Sequence, residues 1–308
     1  MQDLKPLVPS DELRIYRVLD GRNSLSEKDK QQLWKLERGF EGEMEFSRLV
    51  MERDIEGILL NDLLYEYKGS LFQVDKLLLI NNSILLLDIK NHEDDYIIKE
   101  GKWHNERTGQ DIRNPVEQLN RCETLLTNLL QDLGNKNALE SSLVFVNPEF
   151  FLYNAPVDQP IIFPSQINRF LNKLQKKSLS VKKSQFILAE KLISLCKKEN
   201  PFTRVPPYNF EELKKGVLCE RCRRFMRKLR GRTLVCDGCG SLERVESAIV
   251  RGVKEFVLLF PEKKVTTNHI YEWCKVVESK HTIRRVLSEH FEVVGKWKST
   301  HFIEKMEE

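Results

Sequence analysis

The stretch QVDKLLLINNSILLLDIKN, residues 73–91, decides the fold. Two dense runs of Leu, Ile and Val flank Asn81, Asn82 and Ser83, and a turn-forming triplet of this kind joins antiparallel strands. The reading is a hairpin, with Leu71–Ile80 paired to Ser83–Lys90. Alternate side chains of an extended strand face the same way. Ile84, Leu86, Asp88 and Lys90 therefore share one face, and Asp75 on the partner strand can project onto the same side. Two carboxylates beside an ammonium on an apolar sheet are costly unless something compensates them. A buried ion pair of Lys90 with Asp75 or Asp88 would do so. A divalent cation would too: Mg²⁺ takes one or two carboxylates and keeps waters, one of which can attack a phosphodiester.

Outward from the hairpin, the spacing of Leu33, Leu36, Phe40, Met44, Leu49 and Val50 predicts helix within residues 10–54, with a bend or break at Gly39 and Gly42. Short β-type runs follow at Ile58–Leu60 and Tyr96–Lys99. Pro115 opens a second helix, PVEQLNRCETLLTNLLQDLG, which Gly134 stops. SSLVFVNP and PIIFP read as strands, and residues 165–177 and 184–198 as helices. This order predicts an α/β domain, a mixed sheet flanked by helices. The proline-punctuated NPFTRVPPYNF marks a linker. The expected domains are a helical extension over 1–34, an α/β domain over 35–200, a linker over 201–215, and two modules over 216–245 and 246–308.

The 308 residues carry a net charge of +4, with 41% hydrophobic and 31% charged residues. No run is long and apolar enough for a membrane span, and the N-terminus has no signal-peptide core. A cytoplasmic protein without membrane contact is expected. From Gly216 onward, 19 Lys and Arg face 13 Asp and Glu, a net of +6, so the remainder carries −2. The positive charge concentrates at RCRRFMRKLRGR (221–232), which suggests a polyanion partner.

Two further motifs bear on the acidic pair. GFEGE (39–43) sets Glu43 behind a glycine pair, and NPVEQ (114–118) sets Gln118 on the first turn of a helix, with Arg121 one turn on. Helix N-termini favour anions. Taken together and in order, G-x-x-G-E, Q-V-D, D-I-K-N and N-P-x-x-Q over roughly residues 35–165 resemble the NERD (nuclease-related) domain of bacterial proteins, a group of the PD-(D/E)xK nuclease superfamily. The resemblance implies a restriction-endonuclease-like core and a metal-dependent (Mg²⁺ or Mn²⁺) nuclease. Its metal and catalytic set would be Glu43, Asp75, Asp88 and Lys90, with Gln118 as accessory residue. Where the family usually has Glu, this chain has the shorter Asp88. The same fold without cleavage would make a DNA-binding or scaffold protein. His92, His104, Trp103, Cys122 and Cys196 read most simply as packing or surface residues.

Four of the seven cysteines form CERC (219–222) and CDGC (236–239). Two C-x-x-C knuckles at this separation bring Cys219, Cys222, Cys236 and Cys239 together around a structural Zn²⁺ with no open position. This resembles a zinc ribbon. Between the knuckles lie Arg223, Arg224, Arg227, Lys228 and Arg230. Beyond them, two short helices and a strand pair turning near Gly295 look like a helix-turn-helix with a wing. That arrangement would present Lys280, Arg284 and Arg285 to DNA. RNA, or a protein bound through the C-terminal module, are the other partners considered.

Overall fold

The computed structural model describes residues 1–22, 25–197, 200–201, 203–229, 231–275 and 279–305, apart from the side chain of Lys298. The chain divides into two compact units, Met1–Val8 with Lys35–Phe202 and Pro9–Trp34 with Thr203–Glu308. The chain opens with β1 (Gln2–Lys5), α1 (Asp11–Gly21) and α2 (Glu27–Met51). Six strands follow: β2 (Ile58–Tyr67), β3 (Ser70–Ile80), β4 (Ser83–Lys90), β5 (Asp94–Lys99), β6 (Lys102–Asn105) and β7 (Asp111–Ile112). The first unit is completed by α3 (Pro115–Asp132), β8 (Ala138–Phe145), β9 (Phe150–Tyr153), β10 (Ile161–Ile162), α4 (Ile167–Lys177) and α5 (Lys183–Ser194).

In that unit the main sheet has the order β1-β2-β3-β4-β8-β10. It is mixed: β2, β3 and β4 are antiparallel neighbours, whereas β1 joins β2, β8 joins β4 and β10 joins β8 in parallel. The hairpin has the expected register, Ile80 opposite Ser83, and Asn81 takes the left-handed conformation (φ 54°) that a tight connection needs. Both faces of the sheet are buried. Leu77, Leu79, Ile84 and Leu86 pack with Leu119, Leu126 and Leu130 of α3 and with Ala189 and Leu192 of α5. On the other face, Leu78, Leu85, Leu87 and Ile89 pack with Phe46 and Val50 of α2 and with Ile167, Leu171 and Leu174 of α4. Burial on two sides explains why β3 and β4 read as continuous apolar runs rather than as alternation. A second sheet, β7-β6-β5-β9, buries Trp103 completely.

Two expectations are corrected. α2 runs unbroken through Gly39 and Gly42. Glycine lowers helix propensity by only about 1 kcal/mol against alanine, which the packing of Phe46 and Val50 outweighs. The extension over residues 1–34 is not one helical piece: Gln2–Lys5 add a parallel strand to the main sheet, and Ile15 and Leu19 of α1 pack in the second unit.

The second unit holds a three-stranded sheet of β11 (Met226–Lys228), β12 (Thr233–Cys236) and β13 (Leu242–Arg244). Helices α6 (Val245–Leu259), α7 (Thr267–Cys274) and α8 (Lys280–His290) follow, then a hairpin of β14 (Glu292–Val294) and β15 (His301–Ile303). The sequence reading had not included α6. Its Ile249, Val253 and Phe256 form the centre of this core with Trp273, Ile283 and Leu287. Phe210, within the expected linker, stacks on Trp273 at 5.7 Å and is buried. Among the described residues, no helix is long and apolar enough to cross a membrane.

Candidate active site and metal centre

The acidic site forms where the hairpin opens. Ladder pairing of β3 with β4 ends at Lys76 opposite Leu87. Beyond that point the Asp75 carboxylate takes over a backbone partner, its Oδ2 accepting a hydrogen bond of 2.9 Å from the amide of Ile89. The exchange holds Asp75 near Asp88, whose pKa its charge raises. Lys90 Nζ lies 2.6 Å from Asp88 Oδ1.

Glu43 arrives from α2, and the reason it can is local. A Cβ at position 42 would stand 2.5 Å from the Cβ of Asn91, so only glycine lets the end of β4 press against the helix here. Asn91 completes the contact by donating to the carbonyl of Arg38 at 2.7 Å. The GFEG and DIKN motifs are thus two sides of one interface.

Burial dominates the electrostatics. It pushes Asp88 up to about 7, Asp75 adds to the rise, and Lys90 opposes it. Burial, then Asp75, pushes Glu43 up to about 8. Burial works against the Lys90 charge, but Asp88 and Asp75 outweigh it and raise its pKa. His92 is held neutral near 4 by burial and by Lys90, with its ring between Tyr96 and Phe145.

The three carboxylates do not converge as one cluster: among the described residues, only the four cysteines bring three or more ligand atoms within 4.8 Å of one another. Like charges in a desolvated corner repel, and Asp88 is drawn to Lys90 instead. The residues nevertheless suit a hard divalent cation. All three side chains, Glu43, Asp75 and Asp88, offer carboxylate oxygens, the donors such an ion prefers.

Gln118 is exposed on the first turn of α3, capped by Asn114, whose Oδ1 accepts from the amide of Val116 at 3.0 Å. One turn on, Cys122 bonds the carbonyl of Gln73 at 3.2 Å, and Asp75 and Asp88 are among the charges that raise its pKa. The Gln118 side of α3 therefore borders the acidic pair. Arg121 is exposed on the same helix.

Sequence reasoning missed Lys76. It is fully buried on the α2 side of the sheet, donating to Ser47 Oγ and Asn61 Oδ1, each at 2.7 Å. Burial lowers it to about 8, against the pull of Glu43 and Asp75. The available signal was a lysine inside an apolar run, out of phase with Asp75.

In the second unit, Sγ atoms of Cys219 and Cys239 lie 3.6 Å apart and those of Cys222 and Cys236 3.3 Å apart. Thiolates about 2.3 Å from one zinc ion at tetrahedral angles would be roughly 3.8 Å apart, so the cluster fits. The knuckles mirror each other. The backbone amide of Cys219 donates to the carbonyl of Arg224 and that of Cys236 to the carbonyl of Ser241, while Arg223 and Gly240 turn with positive φ (58° and 73°). The cluster and its three strands are compatible with a zinc ribbon.

The basic residues of this unit are less free than the sequence suggests. Arg227 makes two contacts of 2.8 Å with Asp237, and Arg285 pairs with Glu289 and Glu246. Arg224 packs against Gly238, Arg223 is half-buried, and Lys280 donates to Asn268 at 2.9 Å. Lys228 and Arg284 are exposed. Arg230 lies outside the described residues.

A mixed sheet covered by helices on both faces, with carboxylates and a lysine gathered where two strands part, is the architecture of a nuclease-like α/β core. The family comparison agrees: residues 38–146 match the model of the nuclease-related domain, NERD. No curated protein and no solved structure matches the chain.

Proposed function

We propose that the chain is a metal-dependent nuclease that hydrolyses phosphodiester bonds in DNA, with residues 35–200 as the catalytic domain. The observation that carries this reading is the Asp75 carboxylate bonded to the Ile89 amide, which holds it against Asp88 beside Lys90. Asp75 and Asp88, with Glu43 as a third ligand or water-positioning base, would hold Mg²⁺ or Mn²⁺, which when bound supplies Lewis acidity toward a phosphodiester. Lys90, its pKa raised by the two aspartates, stays an ammonium at neutral pH and offers positive charge where a pentavalent phosphorus would gather negative charge. Glu43, pushed up to about 8, exchanges a proton near neutral pH, as a group positioning water must. Gln118 can hold water or a phosphate oxygen at a helix start that favours anions.

The C-terminal part, a Zn²⁺ ribbon over 216–245 and a winged-helix-like module over 246–308, would anchor the enzyme on nucleic acid through Arg223, Arg224, Lys228, Lys280 and Arg284. A second reading, a non-catalytic DNA-binding protein, is favoured by one observation: Asp88 is paired with Lys90 and the carboxylates do not converge. The experiment incubates the chain and Lys90→Ala with linear, circular and single-stranded DNA and with RNA, in Mg²⁺, Mn²⁺ or chelator. Metal-dependent cleavage lost in Lys90→Ala supports the nuclease. Binding without cleavage, steeply weakened by salt, supports the second reading.

A further inference from the structure

The first unit carries a second feature that its acidic site does not use. From Gln159 to Ala189 the chain has no Asp or Glu, while Arg169, Lys173, Lys176, Lys177, Lys182 and Lys183 fall within it. All six are exposed. Three of them, Arg169, Lys173 and Lys176, follow one another at helical spacing along α4, where residues four and three apart are neighbours. With Ser165, Asn168 and Asn172 they line an open groove of about 750 Å³.

A basic helix face is ordinarily neutralised by nearby acids or by the helix's own C-terminal carbonyls. The second account covers Lys176 and Lys177 in the last turn, but not Arg169 and Lys173, which lie further toward the helix start. The first covers neither: among the described residues, Arg169, Lys173 and Lys176 have no acidic partner. In the second unit, by contrast, Arg227 is tied up by Asp237 and Arg285 by Glu246 and Glu289. Nor is the face loosely held. Leu171 and Leu174 anchor α4 in the core, and Arg53 clamps its exposed side through Asn168 (2.7 Å) and Asn172 (3.0 Å). β10, the strand before the helix, stands two strands from β4, which carries Asp88. Asp88 is level with Leu143, and Leu143 with Ile161, on three adjacent strands about 10 Å across. α4 starts five residues after β10.

We propose that the basic face of α4, Arg169, Lys173 and Lys176 along their groove, is a docking surface for the sugar–phosphate backbone of a nucleic-acid duplex, engaged through charge without reading sequence. Eleven helical residues span about 16 Å, and a duplex carries a phosphate charge about every 1.7 Å of its axis, so three cations at this spacing meet several phosphates. The choice of polyanion rests on the nuclease reading of this unit; the unpaired charge does not.

The test uses the full chain and the triple variant Arg169→Gln, Lys173→Gln, Lys176→Gln. Affinity for a labelled random-sequence duplex is followed by fluorescence anisotropy in chelator, at several salt concentrations. The wild-type chain is expected to bind with a steep salt dependence. The variant should bind at least about tenfold more weakly near 0.1 M salt, with a log–log slope shallower by about 3, roughly 0.9 per lost phosphate contact. An unchanged melting temperature shows that the variant folds. Equal affinity and equal slope overturn the proposal, as does a wild-type chain that ignores duplex but binds anionic phosphatidylserine vesicles. Cleavage in Mg²⁺ is scored separately. A chain that cuts DNA while the variant binds normally loses only this surface, and one that never cuts but loses binding in the variant keeps the surface and loses the nuclease.

Discussion

Glu43 and Asp88 are carboxyls held far above their ordinary values of 4.5 and 3.8, at about 8 and about 7. An unfolded chain releases both protons near pH 4, whereas the folded chain keeps them, so these groups make stability fall as pH rises from about 4 to about 8. Lys76, lowered to about 8 from 10.5, acts with the opposite sign: its penalty is complete below about 8 and fades as pH rises toward 10.5. The expected outcome is that, in chelator, Glu43→Gln melts progressively above the wild-type chain between pH 5 and pH 8. Mg²⁺ should raise the wild-type melting temperature more at pH 8 than at pH 6, because binding must displace those protons. Parallel melting curves at every pH, with no response to Mg²⁺, would show that these carboxyls are neither strained nor ion-binding. Asp75, Asp88 and Lys90 were legible because a period of two in an apolar strand singles out each charge. Lys76 was not: its partners, Ser47 and Asn61, come from α2 and β2, and no local pattern announces a polar network assembled from three elements.

At the scale of the element, the contact of α2 with the end of β4 separates two glycines that look alike in the sequence. Gly42 has the Cβ of Asn91 at 2.5 Å from where its own would be, while Gly39 has nothing within 4 Å. Gly42→Ala must push β4 away from the helix, and a loss of about 1–3 kcal/mol is expected, as for other overpacked contacts. Gly39→Ala fills open space on a helix and should gain up to about 1 kcal/mol. Urea titrations of the two variants give both signs in one experiment, and a loss in each would mean that α2 does bend at these positions. The helix itself was legible from its apolar spacing. The break expected at the glycines was wrong because sequence records that a residue lacks a side chain, not whether the missing atoms serve backbone freedom or close approach. β1 escaped notice for a different reason: four residues, QDLK, are too few and too polar to show a period, and they become a strand only because Ile58–Leu60 offer a parallel edge.

At the scale of the whole molecule, the apolar residues fall into separate cores, one of them built wholly in the second unit around Phe256, Trp273 and Ile283 and the others on the two faces of the main sheet. The cysteine cluster belongs to the first of these. Cys219 and Cys236 are buried there with Val217 and Leu234, so metal held by the four thiolates would contribute directly to folding that core. Two thermal transitions are therefore expected by calorimetry. A strong chelator should lower the one belonging to the second unit by many degrees and leave the other in place, as should Cys236→Ser. Added Mg²⁺ should act on the other transition alone, through Asp75 and Asp88. The assignment of each transition is checked by tryptophan fluorescence in two variants, since Trp103 is buried in the first unit and Trp273 in the second: Trp103→Phe removes the signal of one transition and Trp273→Phe that of the other. A single transition that shifts bodily with chelator would mean that the core holding the cysteines and the core of the first unit fold as one cooperative body, and that metal on the cysteine cluster stabilises the acidic site as well as its own strands.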